Sequence, residues 1–84
     1  MMRVKVERVR EGLHPSEVVV AVATADGIER LIVDRRSLEG DTIAIGYPVG
    51  QDGDLLLVEL PRETQTGLWR VWVRKELVTE GRAA

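Results

Sequence analysis

Short runs of valine, isoleucine and leucine alternate along this chain with clusters of glycine, proline and aspartate. The clusters fall at Gly12 to Pro15, Asp26-Gly27, Glu39-Gly40-Asp41, Gly50 to Asp54 and Pro61 to Gly67. Strands separated by turn signals every 8–12 residues or so are the signature of an all-β sandwich or barrel. The pattern also fixes hairpin registers, because side chains of a strand alternate between faces and a one-residue slip inverts them.

"VVVAVATADGIERLIV" places Asp-Gly between two apolar runs, the strongest short hairpin signal. A two-residue turn at Asp26-Gly27 pairs Ala25 with Ile28, Val22 with Leu31 and Val20 with Val33. Val18, Val20, Val22, Leu31 and Val33 then form a core face. The opposite face carries Val19, Ala21, Ala23, Arg30 and Ile32 and is only half polar. In "IAIGYPVGQDGDLLLVEL" a turn at Asp52-Gly53 sets Val49 against Leu56, Tyr47 against Val58 and Ile45 against Leu60, all on one apolar face. Pro48 cannot donate to a ladder and marks an edge or a bulge there. Across the "PRETQTGL" loop, Leu60 meets Trp69, Val58 meets Val71 and Leu56 meets Val73. The reverse face then pairs Glu59 with Arg70, Leu57 with Trp72 and Leu55 with Arg74. Both hairpins independently assign Leu56, Val58 and Leu60 to the core. A helical stripe of Trp69, Trp72, Val73 and Leu77 is the competing pattern, and the β-branched content favours the strand.

The N-terminal run adds Val4 and Val6 to the core, then Val9 after a phase break at Glu7-Arg8 that a β-bulge would produce. "RRSLEG" holds one helical turn at most. A further turn after Lys75 tucks Leu77 or Val78 against the core. The expected fold is all-β, a small and mostly antiparallel meander of about six strands. Size and hairpin order resemble an SH3-like barrel, a resemblance of architecture and not of a family. The alternative is an open twisted sheet completed by dimerisation. Residues 1–78 are expected to form a single domain and residues 79–84 a frayed tail.

Composition narrows the function classes. A chain of 84 residues has a thin core. With no cysteine it has neither disulfides nor thiolate chemistry, as suits a reducing compartment. "MMRVKVERVRE" lacks the apolar core of a signal peptide, and no stretch approaches the ~20 apolar residues of a spanning helix, so a cytoplasmic protein is expected. The net charge of −2 opposes a nucleic-acid footprint, which is normally basic. Ten arginines, two lysines and no asparagine fit a thermophile, and the arginine bias fits a GC-rich genome equally well.

Chemistry-bearing motifs are sparse. His14 is the single histidine, in a Pro-containing loop, with no partner to complete a metal set. "QDGD" lacks the spaced oxygen ligands of a calcium loop and reads as a turn. No Gly-Lys-Ser/Thr and no Gly-x-Ser-x-Gly is present. "VDRRSLEGD" reads as a solvated connection with internal ion pairs. No enzyme activity, cofactor or metal is expected.

The expected function is therefore interaction or self-assembly, with a homodimer or another protein as partner. The interaction face comprises Val19, Ala21, Ile32, Leu55, Leu57, Arg70, Trp72 and Arg74, where apolar residues occupy positions that a one-sided sheet would leave to water. Trp69 is assigned to the core and Trp72 to this face. The alternative is RNA or single-strand binding by Arg70, Trp72 and Arg74, joined by Lys75, Arg3 and Lys5.

Overall fold

The β-branched runs form strands in the computed structural model, which describes residues 1–80. In chain order these are β1 Met2–Lys5, β2 Glu7–Glu11, β3 Glu17–Thr24, β4 Gly27–Asp34 and β5 Leu38–Glu39. They continue as β6 Thr42–Ile45, β7 Gly50–Asp52, β8 Leu55–Glu59, β9 Arg70–Arg74 and β10 Val78–Glu80. The expected six strands are thus ten among the described residues, because short runs break where the chain passes from one sheet to the next. Single 3-10 turns cover Arg35–Ser37 and Lys75–Leu77. The described residues contain no α-helix, and none of their helices is long and apolar enough to cross a membrane.

Every pairing is antiparallel, in three sheets ordered β10-β1-β6-β5, β2-β3-β4 and β7-β8-β9. Their inner faces meet in one cluster. It holds Val4, Val6, Val18, Val20, Val22, Leu31, Val33, Ile43, Ile45, Val58, Leu60, Val71 and Val73, all buried. Among the described residues no ladder joins the three sheets into a closed barrel, so the all-β antiparallel expectation is met and the SH3-like closure is not shown. Val6 marks the passage from the first sheet to the second, its N–H donating to Asp41 O at 2.7 Å.

The β8–β9 register is the expected one, with Leu57 opposite Trp72 and Val58 opposite Val71. Two other registers move by two residues, which preserves the faces. Val20 lies opposite Leu31 and Val22 opposite Glu29, around an Ala25-Asp26 loop. Gly27 is spent on the first residue of the return strand, at φ 126°, and not inside the loop. Thr24 clamps that loop, its hydroxyl donating to Gly27 O at 2.6 Å and accepting from Asp26 N–H at 3.2 Å. In the second hairpin Gly50 lies opposite Leu57, with Gly53 at φ 60° in the turn. Ile45 pairs with Met2 in the first sheet and not with Leu60. Tyr47 and Val49, expected in the core, are 67% and 48% exposed. The break at Pro48 is where β6 leaves one sheet and β7 enters another, so the intervening residues belong to neither.

Three further expectations change. Val9 is not in the core: it is the bulge residue itself, between Arg8 opposite Val20 and Arg10 opposite Val19, and it is exposed. Leu77 and Val78 do pack against the core, but Thr79 and Glu80, expected in the tail, pair with Arg3 and Met2. The rest of that tail, 81–84, lies outside the described residues. Trp69, expected in the core, is 56% exposed. Its row with Leu60 is the last of the β8–β9 ladder, and the inner face opens there into a cleft.

Candidate functional site

Of the two tryptophans of "GLWRVWVRK", Trp72 lies in β9 and Trp69 immediately precedes it, and they face opposite ways. Trp72 is half-buried beside its cross-strand neighbour Leu57. Beyond Leu57 stands Gly50 on β7. A methyl group placed at Gly50 would sit 3.5 Å from the far edge of the indole and 3.3 Å from Leu57 Cβ. The missing side chain is what lets the indole lie across three strands, and β7 covers it from beneath. Leu55 is also half-buried on this face. The rim is charged but balanced: Arg70 Nε donates to Glu59 at 3.1 Å, and Arg74 lies 3.6 Å from Glu76.

The eight residues of the expected face are thus divided. Leu55, Leu57, Arg70, Trp72 and Arg74 lie on the β7–β8–β9 sheet. Val19, Ala21 and Ile32 lie on the β2–β3–β4 sheet. Val19 is 2% exposed, between Arg10 and Ile32 in its row, and offers no surface. Ala21 lines a shallow apolar groove of about 240 Å³ with Ala23, Ile28 and Leu77. Edge meets turn between these sheets in the bond from Ala25 N–H to Trp72 O at 2.8 Å.

Trp69 lines a second concavity, an open cleft of about 320 Å³ between β4 and the β8–β9 loop. Leu31, from the inner face, and Ile32, from the outer, both line it, which places the cleft on the edge of β4 itself. Three tethers hold the loop there. Gln65 N–H donates to Arg30 O at 2.8 Å, Thr66 Oγ1 to Glu29 at 2.6 Å, and Arg62 lies 3.8 Å from Glu17. The loop is closed on itself by Thr64, 3% exposed, whose N–H donates to Leu68 O and whose hydroxyl accepts from Leu68 N–H. Alternation along β9 could not show this, because it reports a side chain's face and not how far the core extends.

The Thr66 hydroxyl, and then that of Thr64, hold the Glu29 carboxyl below its ordinary value. A depressed carboxylate contributes stability that is present above the unfolded pKa and is lost as pH falls through the folded one. Acidification should therefore weaken the loop tether only as the pH falls below the ordinary glutamate range, through the lowered Glu29 pKa. The expected result is that Thr66→Ala raises the Glu29 pKa in a carbon-detected NMR titration. It should also speed exchange of the Gln65 amide. A Glu29 that titrates identically in both proteins would remove the tether.

The remaining candidates have structural work. His14 O accepts from Glu17 N–H at 2.9 Å in the β2–β3 turn. Asp34 caps the following 3-10 turn, accepting from Arg36 N–H at 2.8 Å, and that bond, followed by the one from the Arg36 side chain, lowers its pKa. Lys5 lies 3.9 Å from Asp41. Arg3, a candidate nucleic-acid contact, is 9% exposed and donates to Thr42 Oγ1, Thr42 O and Ser37 O. Among the described residues no three His, Asp or Glu side chains converge as metal ligands. The molecule is an all-β protein of three open antiparallel sheets with two aromatic-lined surfaces. Comparison with protein-family models, with curated proteins and with solved structures finds no match.

Proposed function

We propose that this protein is an interaction module that self-associates through the Trp72 face and has no catalytic role. The observation that carries the reading is the row Trp72–Leu57–Gly50, a half-exposed indole across three strands, with Leu55 beside it. A partly exposed tryptophan next to aliphatic residues and arginines has the composition of an interface hot spot. The rim favours a copy of the same surface over a charged ligand. Arg70–Glu59 and Arg74–Glu76 each carry both signs, so a two-fold arrangement can set cation against anion on both sides.

The alternative, a single-stranded nucleic acid on Arg70, Trp72 and Arg74, has less support. Both arginines have acidic partners, and Arg3 is committed to Ser37 and Thr42. Light scattering at tens of micromolar is expected to give a dimer mass. Trp72→Ala should weaken the dimer about 30-fold, the equivalent of about 2 kcal/mol at a hot spot. A monomer mass for the unaltered protein would overturn self-association.

A further inference from the structure

β4 is one of the two longest strands, and its outer edge is open. Arg35 N–H donates to Ser16 O, continuing the β3–β4 ladder, so Leu31 and Val33 turn their backbone groups to β3. By the same alternation Ile28, Arg30 and Ile32 turn theirs outward. Among the described residues only one of these outward groups has a backbone partner, Arg30 O, which accepts from Gln65. The other sheet edges are shorter or carry charge. β5 and β10 have two and three residues, β7 has three and follows Pro48, β2 is the charged "ERVRE", and β9 is the five-residue "RVWVR", whose outward arginines flank Trp72 O, which accepts from the Ala25 N–H. The β4 edge is left with a loop standing off it and a cleft between.

We infer that this cleft binds a short extended peptide of a partner protein by strand addition to β4 at Ile32. The peptide sets an apolar side chain against Trp69 and a basic one beside Glu63. This site is separate from the Trp72 face and does not depend on self-association there. Three features select that occupant. The N–H and C=O of Ile32 are a donor and an acceptor on one residue, which a passing backbone satisfies together. The indole of Trp69, 56% exposed, forms an apolar wall. Of the two charges in the cleft, Arg62 is engaged by Glu17, whereas Glu63 has no ion-pair partner among the described residues. The uncompensated charge is negative, so a cationic segment is favoured and a nucleic acid is not.

The probe is the blocked peptide acetyl-Val-Arg-Val-Arg-Val-Arg-amide, added to the full chain and followed by amide NMR. Saturable binding is expected, with exchange of the Ile32 amide slowed at least tenfold. Trp69→Ala, at an exposed position, should leave the spectrum folded and weaken binding at least tenfold. Glutamate in place of arginine in the peptide should weaken it similarly. Peptides N-methylated on every second residue, made in both phases, separate backbone pairing from side-chain contact, and one phase should lose binding at least tenfold. Equal binding in both phases, an unchanged Ile32 exchange rate at saturation, or no binding at millimolar peptide would each overturn the inference. So would displacement of the peptide by a single-stranded oligonucleotide that contacts Trp69. A dimer that binds no peptide would leave the Trp72 reading standing alone.

Discussion

Leu31→Ala is expected to lower the unfolding free energy by about 3 kcal/mol, within the usual range for a buried leucine. Leu31 is fully buried on β4, opposite Val20, and belongs to the cluster in which the three sheets meet. That cluster is built largely of valines, whose stiff side chains collapse poorly into a void. An 84-residue chain has a total stability of only about 4–13 kcal/mol at ordinary per-residue values, so one such cavity removes a large part of it. Ile28→Ala on the same strand provides the contrast: Ile28 is 68% exposed, and truncation there should cost about 0.5 kcal/mol or less. Urea denaturation of both variants, with unchanged m-values, measures the difference. A loss below 1 kcal/mol for Leu31→Ala would mean that the sheets do not share one core. The variant also bears on the cleft, because Leu31 forms part of its wall.

The faces of the strands could be read from alternation, and the positions of the sheets could not. Val18, Val20, Val22, Leu31 and Val33 were assignable because a two-residue error in register leaves parity unchanged. The β8–β9 register was legible outright, since both faces constrained it: apolar rows on one side, and Glu59 opposite Arg70 on the other. The exchanges between sheets escaped notice because each occupies a few residues. Val6 and the segment from Gly46 to Val49 look like ordinary members of a strand, and only their long-range partners reveal the break. Asp-Gly signalled both turns correctly but misplaced them by one residue, because a glycine with positive φ serves in the loop or just after it.

The candidate surfaces divide the same way. Trp72 beside Leu57 followed from pairing within one hairpin. The room for its indole depends on Gly50, a glycine that seemed to be only part of a turn. The β4 cleft needed Gln65 and Arg30 brought together from distant parts of the chain, and no local pattern encodes that contact. Nor could burial of Val19 be foreseen, since its face holds both buried and exposed positions.

Arg3→Met should destabilise the protein by about 3 kcal/mol, although Arg3 resembles any other arginine of an alternating charged strand. It lies in β1 between the small Ala44 on β6 and Thr79 on β10, so its side chain has room to run across the sheet. Its Nε donates to Thr42 Oγ1 at 2.8 Å, and its Nη2 to Ser37 O at 2.8 Å and Thr42 O at 3.1 Å. The Thr42 hydroxyl is oriented for this, since it donates its own proton to Glu39 O at 2.9 Å. Ser37 closes the 3-10 turn between β4 and β5, so one guanidinium ties the first sheet to the connection leaving the second. Among the described residues no carboxylate pairs with it, and the charge rests on backbone and hydroxyl oxygens. Methionine preserves most of the volume but removes every hydrogen bond that the guanidinium donates to Thr42 and Ser37, and bonds from a charged donor contribute about 1.5–3 kcal/mol. Lysine keeps the charge, but a single ammonium cannot reproduce the planar fork that reaches Thr42 and Ser37 together, so Arg3→Lys should recover only part of the loss. Denaturation of the two variants, with Thr42→Val and the Arg3→Met/Thr42→Val double variant closing a cycle, is expected to give a coupling of about 1 kcal/mol or more. Strict additivity of Arg3→Met and Thr42→Val would remove the tie, and would return Arg3 to the residues available for a ligand.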